Sequence, residues 1–174
     1  MAKVYVSIGS NIDRELHVTA ALDALLDDFG VLEVSSVFES EAVGFEGDSF
    51  LNLVVGFSTE LEVGALSLAL KKLEESNGRI KNAPKFCSRT LDIDILTYDN
   101  VVGDIDGVCL PRPEILENAF VLWPLSEVAG GSLHPEKGDD YAEIWQAFDR
   151  PQKLWPIDFI WQGELISSAS SLAK

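Results

Sequence analysis

Hydrophobic residues recur along this chain with two different periods. Lys3 to Ile8 alternates polar and apolar positions, which predicts a first strand that ends in the turn Gly9-Ser10-Asn11. Between residues 18 and 29 the apolar side chains recur at helical spacing. They predict a first helix, with Asp13 as its N-cap and Gly30 as its end. The chain therefore opens with a strand followed by a helix.

The middle of the chain predicts two strands and then a second helix. Residues 32–40 and 50–59 are rich in apolar residues and are predicted strands, with a loop between them. Leucines at helical spacing predict a helix from about residue 62 to Asn77-Gly78. A basic loop follows over residues 79–88.

The next strand carries two carboxylates. Residues 88–96 alternate between polar and apolar, so Asp92 and Asp94 are predicted on one face, about 6.6 Å apart. Like charges at this spacing do not stabilise a sheet. A pair of Mg²⁺ ions would make them favourable, because Mg²⁺ prefers carboxylate, water and phosphate oxygens. The alternative is a solvated strand face that is merely acidic.

The remainder of the chain predicts shorter elements. A turn at Asp99-Asn100, a weak strand at 101–102 and a rigid connection at Pro111-Arg112-Pro113 are followed by short helices from Glu114 and over 141–148. The order β-α-β-β-α-β predicts an α+β fold with two helices on one face of a sheet.

Length and aromatic content predict the domain boundaries. We expect a single domain over residues 1–166, in which 151–166 is a packed extension because it carries three large aromatic side chains. Residues 167–174 are predicted to be a disordered tail. The two cysteines match no disulfide framework, and no segment resembles a signal peptide or a membrane span. We therefore expect a reduced, cytoplasmic protein, with a monomer favoured over an oligomer.

Charge is distributed unevenly. The formal net charge is -16, which argues against binding to nucleic acid or to anionic membranes. Six of the 13 basic residues nevertheless lie between positions 71 and 89, which suggests a site for a compact polyanion such as a nucleoside triphosphate. For Lys71 and Lys72, a charged helix end is the better interpretation. No GxGxxG or GxxxxGK[ST] loop is present, so side chains would have to bind the phosphates.

Several short stretches together resemble the 6-hydroxymethyl-7,8-dihydropterin pyrophosphokinase (HPPK) family. The resemblance covers residues 3 to about 148, and it rests on Ser7 to Asn11, Phe50-Leu51-Asn52, Gly78-Arg79, Ser88 to Ile95 and Phe120 to Leu125. It implies a ferredoxin-like α+β fold, a mainly antiparallel sheet covered by helices, with a three-layer α/β/α sandwich as a variant. It also implies a transferase of folate biosynthesis that moves pyrophosphate from ATP to the hydroxymethyl group of the reduced pterin and releases AMP.

The resemblance also implies roles for individual residues. Asp92 and Asp94 would hold two Mg²⁺ ions, and Arg79 and Arg89 would complete the catalytic set. ATP would be bound by a group of mainly charged residues, namely Glu74, Lys81, Lys85, Arg112 and Asn118. The pterin would be bound by residues that stack on it or contact its edge, namely Ser40, Val43, Phe50, Asn52, Phe86 and Phe120. The alternatives are core packing for Phe50 and Phe120 and a solvated helix face for Glu74.

Departures from the family pattern keep other functions open. Arg112 stands where the family usually has His, and Asn118 stands where it usually has Arg. We hypothesise that Arg112 restores the charge lost at position 118. Lys81 and Phe86 replace the more common Arg and Trp. The alternatives are therefore a non-catalytic pterin- or nucleotide-binding paralogue, or a kinase of another hydroxymethyl heterocycle.

Overall fold

A six-stranded antiparallel sheet forms the centre of the computed structural model, which describes residues 1–42, 47–78 and 90–170. The strands of the sheet are β1 (Ala2–Ser10), β2 (Glu33–Val34), β3 (Val37–Ser40), β4 (Phe50–Thr59), β5 (Asp92–Tyr98) and β8 (Leu154–Ile157). Two separate hairpins are formed by β6 (Gly103–Ile105) with β7 (Val108–Leu110) and by β9 (Phe159–Trp161) with β10 (Glu164–Ser167). The helices are α1 (Arg14–Phe29), α2 (Val63–Ser76), α3 (Ala119–Ala129) and α4 (Tyr141–Ala147), and a 3₁₀ helix spans Pro113–Leu116.

The strand order β5-β1-β4-β3-β8, with β2 also paired to β4, places the first and last strands of the β-α-β-β-α-β unit side by side. The predicted ferredoxin-like α+β fold is thus confirmed. The alternation of apolar residues along β1 accounts for the helices on this face of the sheet, because Val4, Val6 and Ile8 point into a core beneath α1 and α2.

A second core covers the opposite face of the sheet. Tyr5 and Val54 turn to this side and pack with α3 and α4, where Trp123 and Trp145 stack with their ring centroids 5.2 Å apart. The molecule therefore has the three-layer form. Hydrophobic periodicity did not predict helix α3. The helix is apolar on almost every side, as buried helices are, so no polar face marks its period. It also contains Pro124, which is unusual inside a helix.

Several local predictions need correction. Asp13 occupies the N-cap position of α1 in the left-handed region, at φ 44°, and its side chain makes no capping hydrogen bond. The predicted strand 32–40 is split into β2 and β3 at Ser35-Ser36. No strand forms at 101–102. The two strands that follow β5 are instead β6 and β7, on either side of the turn Asp106-Gly107. Both turn residues have positive φ, as a type I′ hairpin requires. The dipeptide Asp-Gly in the sequence is a signal for such a turn.

The C-terminal segment extends the sheet and then returns across it. Strand β8 pairs with β3, and Phe159 is buried in the first core. Ser167, which the sequence analysis assigns to a disordered tail, is buried instead, and its hydroxyl accepts a hydrogen bond from Val37 N at 2.8 Å. Among the described residues, none of the helices is both long enough and apolar enough to cross a membrane.

Candidate active site

The two aspartates of β5 project from the same face of the sheet. β5 is an edge strand, and its Ile93 and Ile95 enter the first core, so Asp92 and Asp94 face the opposite side. In the register with β1, Asp92 lies opposite Gly9 and Asp94 lies opposite Ser7. The structure therefore places both carboxylates side by side, as the period-2 alternation predicts.

The environment of the pair disfavours negative charge. The pKa of Asp94 is raised to about 7. Burial of the Asp94 carboxyl is the main cause, and repulsion from Asp92 adds to it, although Arg112 acts in the opposite direction. A bound divalent cation would reverse this cost. The described ranges contain no cluster of three or more Asp, Glu, His or Cys side chains that could hold a metal ion. Two carboxylates on one strand face are within the donor set of Mg²⁺, which takes one or two protein carboxylates and completes its shell with water and phosphate.

Arg112 lies beside the aspartates. Its Nη2 is 3.5 Å from Asp94 Oδ1 and its Nε is 2.5 Å from Glu114 Oε2. Its backbone N–H donates to Leu96 O at 2.8 Å, which fixes it against β5 two residues beyond Asp94. A cation is therefore present at the site although position 118 is an asparagine. This geometry is consistent with the hypothesis that Arg112 restores the missing charge.

Glu74 holds the aspartate strand from the other side of the sheet. It is buried on α2, and its Oε2 accepts a hydrogen bond from Ile93 N at 2.8 Å. The alternative of a solvated helix face for Glu74 is thus wrong, while its predicted role in ATP binding stays a prediction. Because Ile93 lies between Asp92 and Asp94, this bond fixes the backbone that carries both carboxylates.

A cleft of about 350 Å³ brings these side chains together. It runs along β5 and is lined by parts of α2, of the hairpin β6–β7 and of segment 112–114. Four residues predicted for the site line it, namely Glu74, Asp92, Asp94 and Arg112. Asn118, a half-buried residue at the N-cap of α3, is not among the described residues that line this cleft.

Gly9, which has no side chain, leaves a gap in the sheet face between the two aspartates and the polar pair Asn52 and Ser40. Gly9 lies opposite Asp92 on one side and opposite Asn52 on the other. A Cβ at Gly9 would lie 3.6 Å from Asn52 Oδ1 and 3.8 Å from a ring carbon of Phe50, so it would project into the gap without a clash. Adjacent strands are about 4.8 Å apart, which puts Asn52 roughly 10 Å from Asp92.

Asn52 and Ser40 form the far side of the gap. Both are buried, and Asn52 Nδ2 donates to Ser40 Oγ at 2.7 Å. Phe50 lies opposite Ser40 in the pairing of β4 with β3, so its ring projects from the same face. Phe120, in the first turn of α3, is half-buried against the second core on this side of the sheet. The structure thus places four of the predicted pterin-binding residues on one face.

Three residues between the end of β1 and the start of α1 make structural contacts that sequence reasoning left without a role. Ser10 Oγ donates to Thr90 O at 2.5 Å and so fixes the chain just before β5. Asn11 Nδ2 donates to Asp48 O at 3.0 Å and Arg14 Nη1 donates to Ser49 O at 3.1 Å. These bonds hold the residues before Phe50. The turn residues Gly-Ser-Asn were a recognisable signal, but their partners are distant in sequence.

Comparison with known proteins identifies the family. The model of the family described as "7,8-dihydro-6-hydroxymethylpterin-pyrophosphokinase (HPPK)" matches residues 5–130. The chain belongs to the HPPK family. A 2-amino-4-hydroxy-6-hydroxymethyldihydropteridine pyrophosphokinase of Aquifex aeolicus is 36% identical over 137 residues, which are 78% of this chain and 85% of that relative. A protein of the same name from Porphyromonas gingivalis is 38% identical over 143 residues, 78% of this chain and 96% of the relative.

Solved structures agree on the fold. An HPPK-DHPS of Plasmodium falciparum, wild type with SDX-DHP, superposes with a TM-score of 0.66 at 12% identity. The match covers 85% of this chain and 44% of that one. This chain therefore spans less than half of that bifunctional relative, and at this identity the likeness concerns the fold alone.

Part of the HPPK-like site predicted from sequence lies outside the described residues. This applies to the substrate residues Val43 and Phe86 and to the basic residues Arg79, Lys81, Lys85 and Arg89. The described residues include the two aspartates, Arg112 and four residues predicted to bind the pterin. The latter form the predicted ring pocket, namely Ser40, Phe50, Asn52 and Phe120. The phosphate-binding roles of the basic residues stay predictions.

Proposed function

We propose that this chain is a 6-hydroxymethyl-7,8-dihydropterin pyrophosphokinase that uses ATP and releases AMP. The observation that carries the proposal is the row Asp92, Gly9, Asn52 across one face of the sheet. It sets a carboxylate site for a metal-bound triphosphate beside a polar, aromatic-flanked gap. The names of its HPPK relatives support the same activity.

The pterin would enter the gap above Gly9. The amide of Asn52 can donate and accept, which suits the pterin edge with its alternating donors and acceptors. Ser40 fixes the orientation of that amide through the 2.7 Å hydrogen bond. Stacking on Phe50 and Phe120 would position the flat ring, because aromatic faces gain from such contact. The hydroxymethyl group would then point along the row toward Asp92.

ATP would lie in the cleft along β5. Asp92 and Asp94 would hold Mg²⁺, which supplies neutralisation of the phosphate charge and alignment of the attacking and leaving oxygens. Arg112 would exchange its contact with Asp94 for the triphosphate, since its guanidinium binds phosphate oxygens well. Lys81, Lys85, Arg79 and Arg89 are proposed to add positive charge around the phosphates.

The reaction would transfer one group between two oxygens. The hydroxymethyl oxygen of the pterin attacks the β-phosphorus of ATP, and the bond from that phosphorus to the α-phosphate oxygen breaks. AMP leaves with this oxygen, and the hydroxyl proton is lost to solvent. The protein's main contribution is to hold both substrates in line, which accounts for a large part of catalysis in such transfers.

The experiment that tests this proposal measures AMP formed from ATP, Mg²⁺ and the reduced pterin. We expect the wild-type chain and an Asp27→Asn control, which changes an exposed residue of α1, to form AMP at equal rates. Asp92→Asn is expected to be slower by at least about 100-fold, the scale of a lost electrostatic contact in catalysis. Pterin binding without AMP formation in the wild type would favour a binding module. AMP formation only with another hydroxymethyl heterocycle would favour a different kinase.

A further inference from the structure

Gln152 bonds to both backbone groups that flank the start of α3. Its Oε1 accepts a hydrogen bond from Ala119 N at 2.7 Å, and its Nε2 donates to Glu117 O at 2.9 Å. Ala119 is the first residue of α3, so its buried N–H has no partner within the helix. The N-cap residue Asn118 makes no capping hydrogen bond with its own side chain. Gln152 therefore caps this helix from a distant part of the chain.

The same segment is joined to the opposite wall of the ring pocket. Two residues after Gln152, Leu154 pairs with Ser40 at the start of β8. Ser40 in turn accepts the amide hydrogen bond of Asn52. Within three residues the C-terminal segment thus contacts the helix that carries Phe120 and the strand that carries Ser40.

An open groove lies beside the beginning of α3. A groove of about 340 Å³ remains between α3, α4 and residues 149–154, and Ala119 and Gln152 both line it. The two hydrogen bonds of Gln152 therefore act together with the packing of Ala119 in the second core to position the helix start. Gln152 also lies beyond residues 5–130, which the family model matches.

We propose that Gln152 is a positioning residue of the ring pocket. It fixes the distance between Phe120 and the Ser40–Asn52 pair, and thereby sets the affinity for a flat reduced heteroaromatic ring. This inference rests on the proposed function, since it takes the ring to be the pterin. Gln152 acts through α3 and does not touch the substrate. ATP binding along β5 is independent of it.

The test compares Gln152→Ala with a matched control, Gln146→Ala, which changes an exposed glutamine of α4. Dissociation constants are measured separately for 6-hydroxymethyl-7,8-dihydropterin and for a non-hydrolysable ATP analogue with Mg²⁺. Gln152→Ala is expected to weaken pterin binding about fivefold or more, the effect of one or two lost hydrogen bonds. Its affinity for the ATP analogue is expected to stay within about twofold of wild type, since the two sites are separate. Gln152→Glu keeps the acceptor for Ala119 N and should lie between alanine and wild type.

The outcomes separate this inference from the proposed function. Unchanged pterin affinity in Gln152→Ala would overturn the inference, and so would an equal loss of affinity for both ligands, which indicates general destabilisation. If wild-type protein forms AMP in either case, the proposed function stands. A wild-type chain that binds no pterin would overturn both. Should Gln152→Ala fail to fold, Gln152→Asn, which is one methylene too short to span both partners, is subject to the same comparison.

Discussion

Asp94 lies where its charge is costly to the folded chain. Its pKa is raised from 3.8 to about 7, mainly by burial and then by Asp92, even though Arg112 is only 3.5 Å away. A neutral side chain at position 94 would make the folded chain more stable at neutral pH. Charges of this kind are retained in proteins where function needs them, at the expense of stability. The cation proposed to bind between these carboxylates and a phosphate chain would account for the pair.

Replacing Asp94 should therefore separate stability from activity. An acid whose pKa is raised by folding keeps a proton that the unfolded chain has already released, so the fold loses stability as pH rises from about 4 to about 7. In metal-free protein, Asp94→Asn is expected to raise the free energy of unfolding at pH 8 and to leave it unchanged below pH 4. Urea unfolding in a chelating buffer at both pH values measures this.

The activity of the same variant completes the test. AMP formation by Asp94→Asn is expected to fall by at least about 100-fold. The control Asp27→Asn should match wild type in both stability and rate. A variant that is no more stable than wild type at pH 8, or one that retains activity, would contradict this explanation of the aspartate pair.

The second prediction for a single residue concerns the pterin affinity of a Gly9 variant. A methyl group at this position would touch Asn52 and Phe50 at ordinary contact distances, so Gly9→Ala should fold with an unchanged or slightly higher melting temperature. It would fill the gap proposed for the pterin, and we expect pterin affinity to fall about tenfold or more, the cost of a steric conflict of modest size. The control is Gly131→Ala, where a Cβ meets no atom within 4 Å. Undiminished pterin binding by Gly9→Ala would place the ring elsewhere.

At the scale of elements, β5 is fixed by three other parts of the chain. Glu74 of α2 accepts from Ile93 N, the Arg112 backbone donates to Leu96 O, and Ser10 donates to Thr90 O. An edge strand would otherwise be free to fray. The aspartates thus sit on a strand whose free edge and start are held by hydrogen bonds, as a preorganised site requires.

Glu74 provides the test of this arrangement. Glu74→Ala would leave Ile93 N–H without this acceptor and is expected to lower the free energy of unfolding by about 1–3 kcal/mol. It should also weaken Mg²⁺-dependent binding of the ATP analogue. Glu74→Gln keeps an amide oxygen as acceptor and is expected to retain most of both properties. If the glutamine variant loses ATP-analogue affinity while its stability is normal, Glu74 acts on the nucleotide directly.

Sequence patterns predicted some elements and missed others for physical reasons. Strands β1 and β5 were predictable because their residues alternate between polar and apolar, and β4 was predictable because a short apolar run indicates a buried strand. Helix α3 was missed because burial on all sides removes that contrast. For the site, alternation placed Asp92 and Asp94 on one face. It could not place Gly9 between Asp92 and Asn52, since the pairing register of distant strands is set only by the folded sheet.

At the scale of the whole molecule, the C-terminal segment joins the sheet to the helical layer that contains α1. β8 adds to the sheet beside β3, while β9 contributes Phe159 to the core beneath α1. Trp161 Nε1 also donates to Asp23 Oδ1 of α1 at 2.9 Å. The composition of residues 151–166 indicated packing, but the partners of the segment required the structure.

Ser167 tests how firmly this segment belongs to the fold. Its hydroxyl accepts from Val37 N and donates to Ile157 O at 2.6 Å in a buried position. Ser167→Ala is expected to lower the free energy of unfolding by about 1–3 kcal/mol, because a buried backbone donor loses its partner. Ser170→Ala, at an exposed serine, should leave stability unchanged. Equal unfolding curves for the two variants would show that the segment is not firmly attached.

The central claim is that a metal-bound triphosphate and a flat ring meet across the row formed by Asp92, Gly9 and Asn52. The most direct test is a crystal structure of the chain with Mg²⁺, a non-hydrolysable ATP analogue and 6-hydroxymethyl-7,8-dihydropterin. We predict Mg²⁺ on Asp92 and Asp94, and the pterin edge on Asn52 with its hydroxymethyl oxygen facing the β-phosphorus. Pterin density in another place, such as the groove beside Trp123 and Trp145, or Mg²⁺ bound away from the two aspartates, would contradict the account.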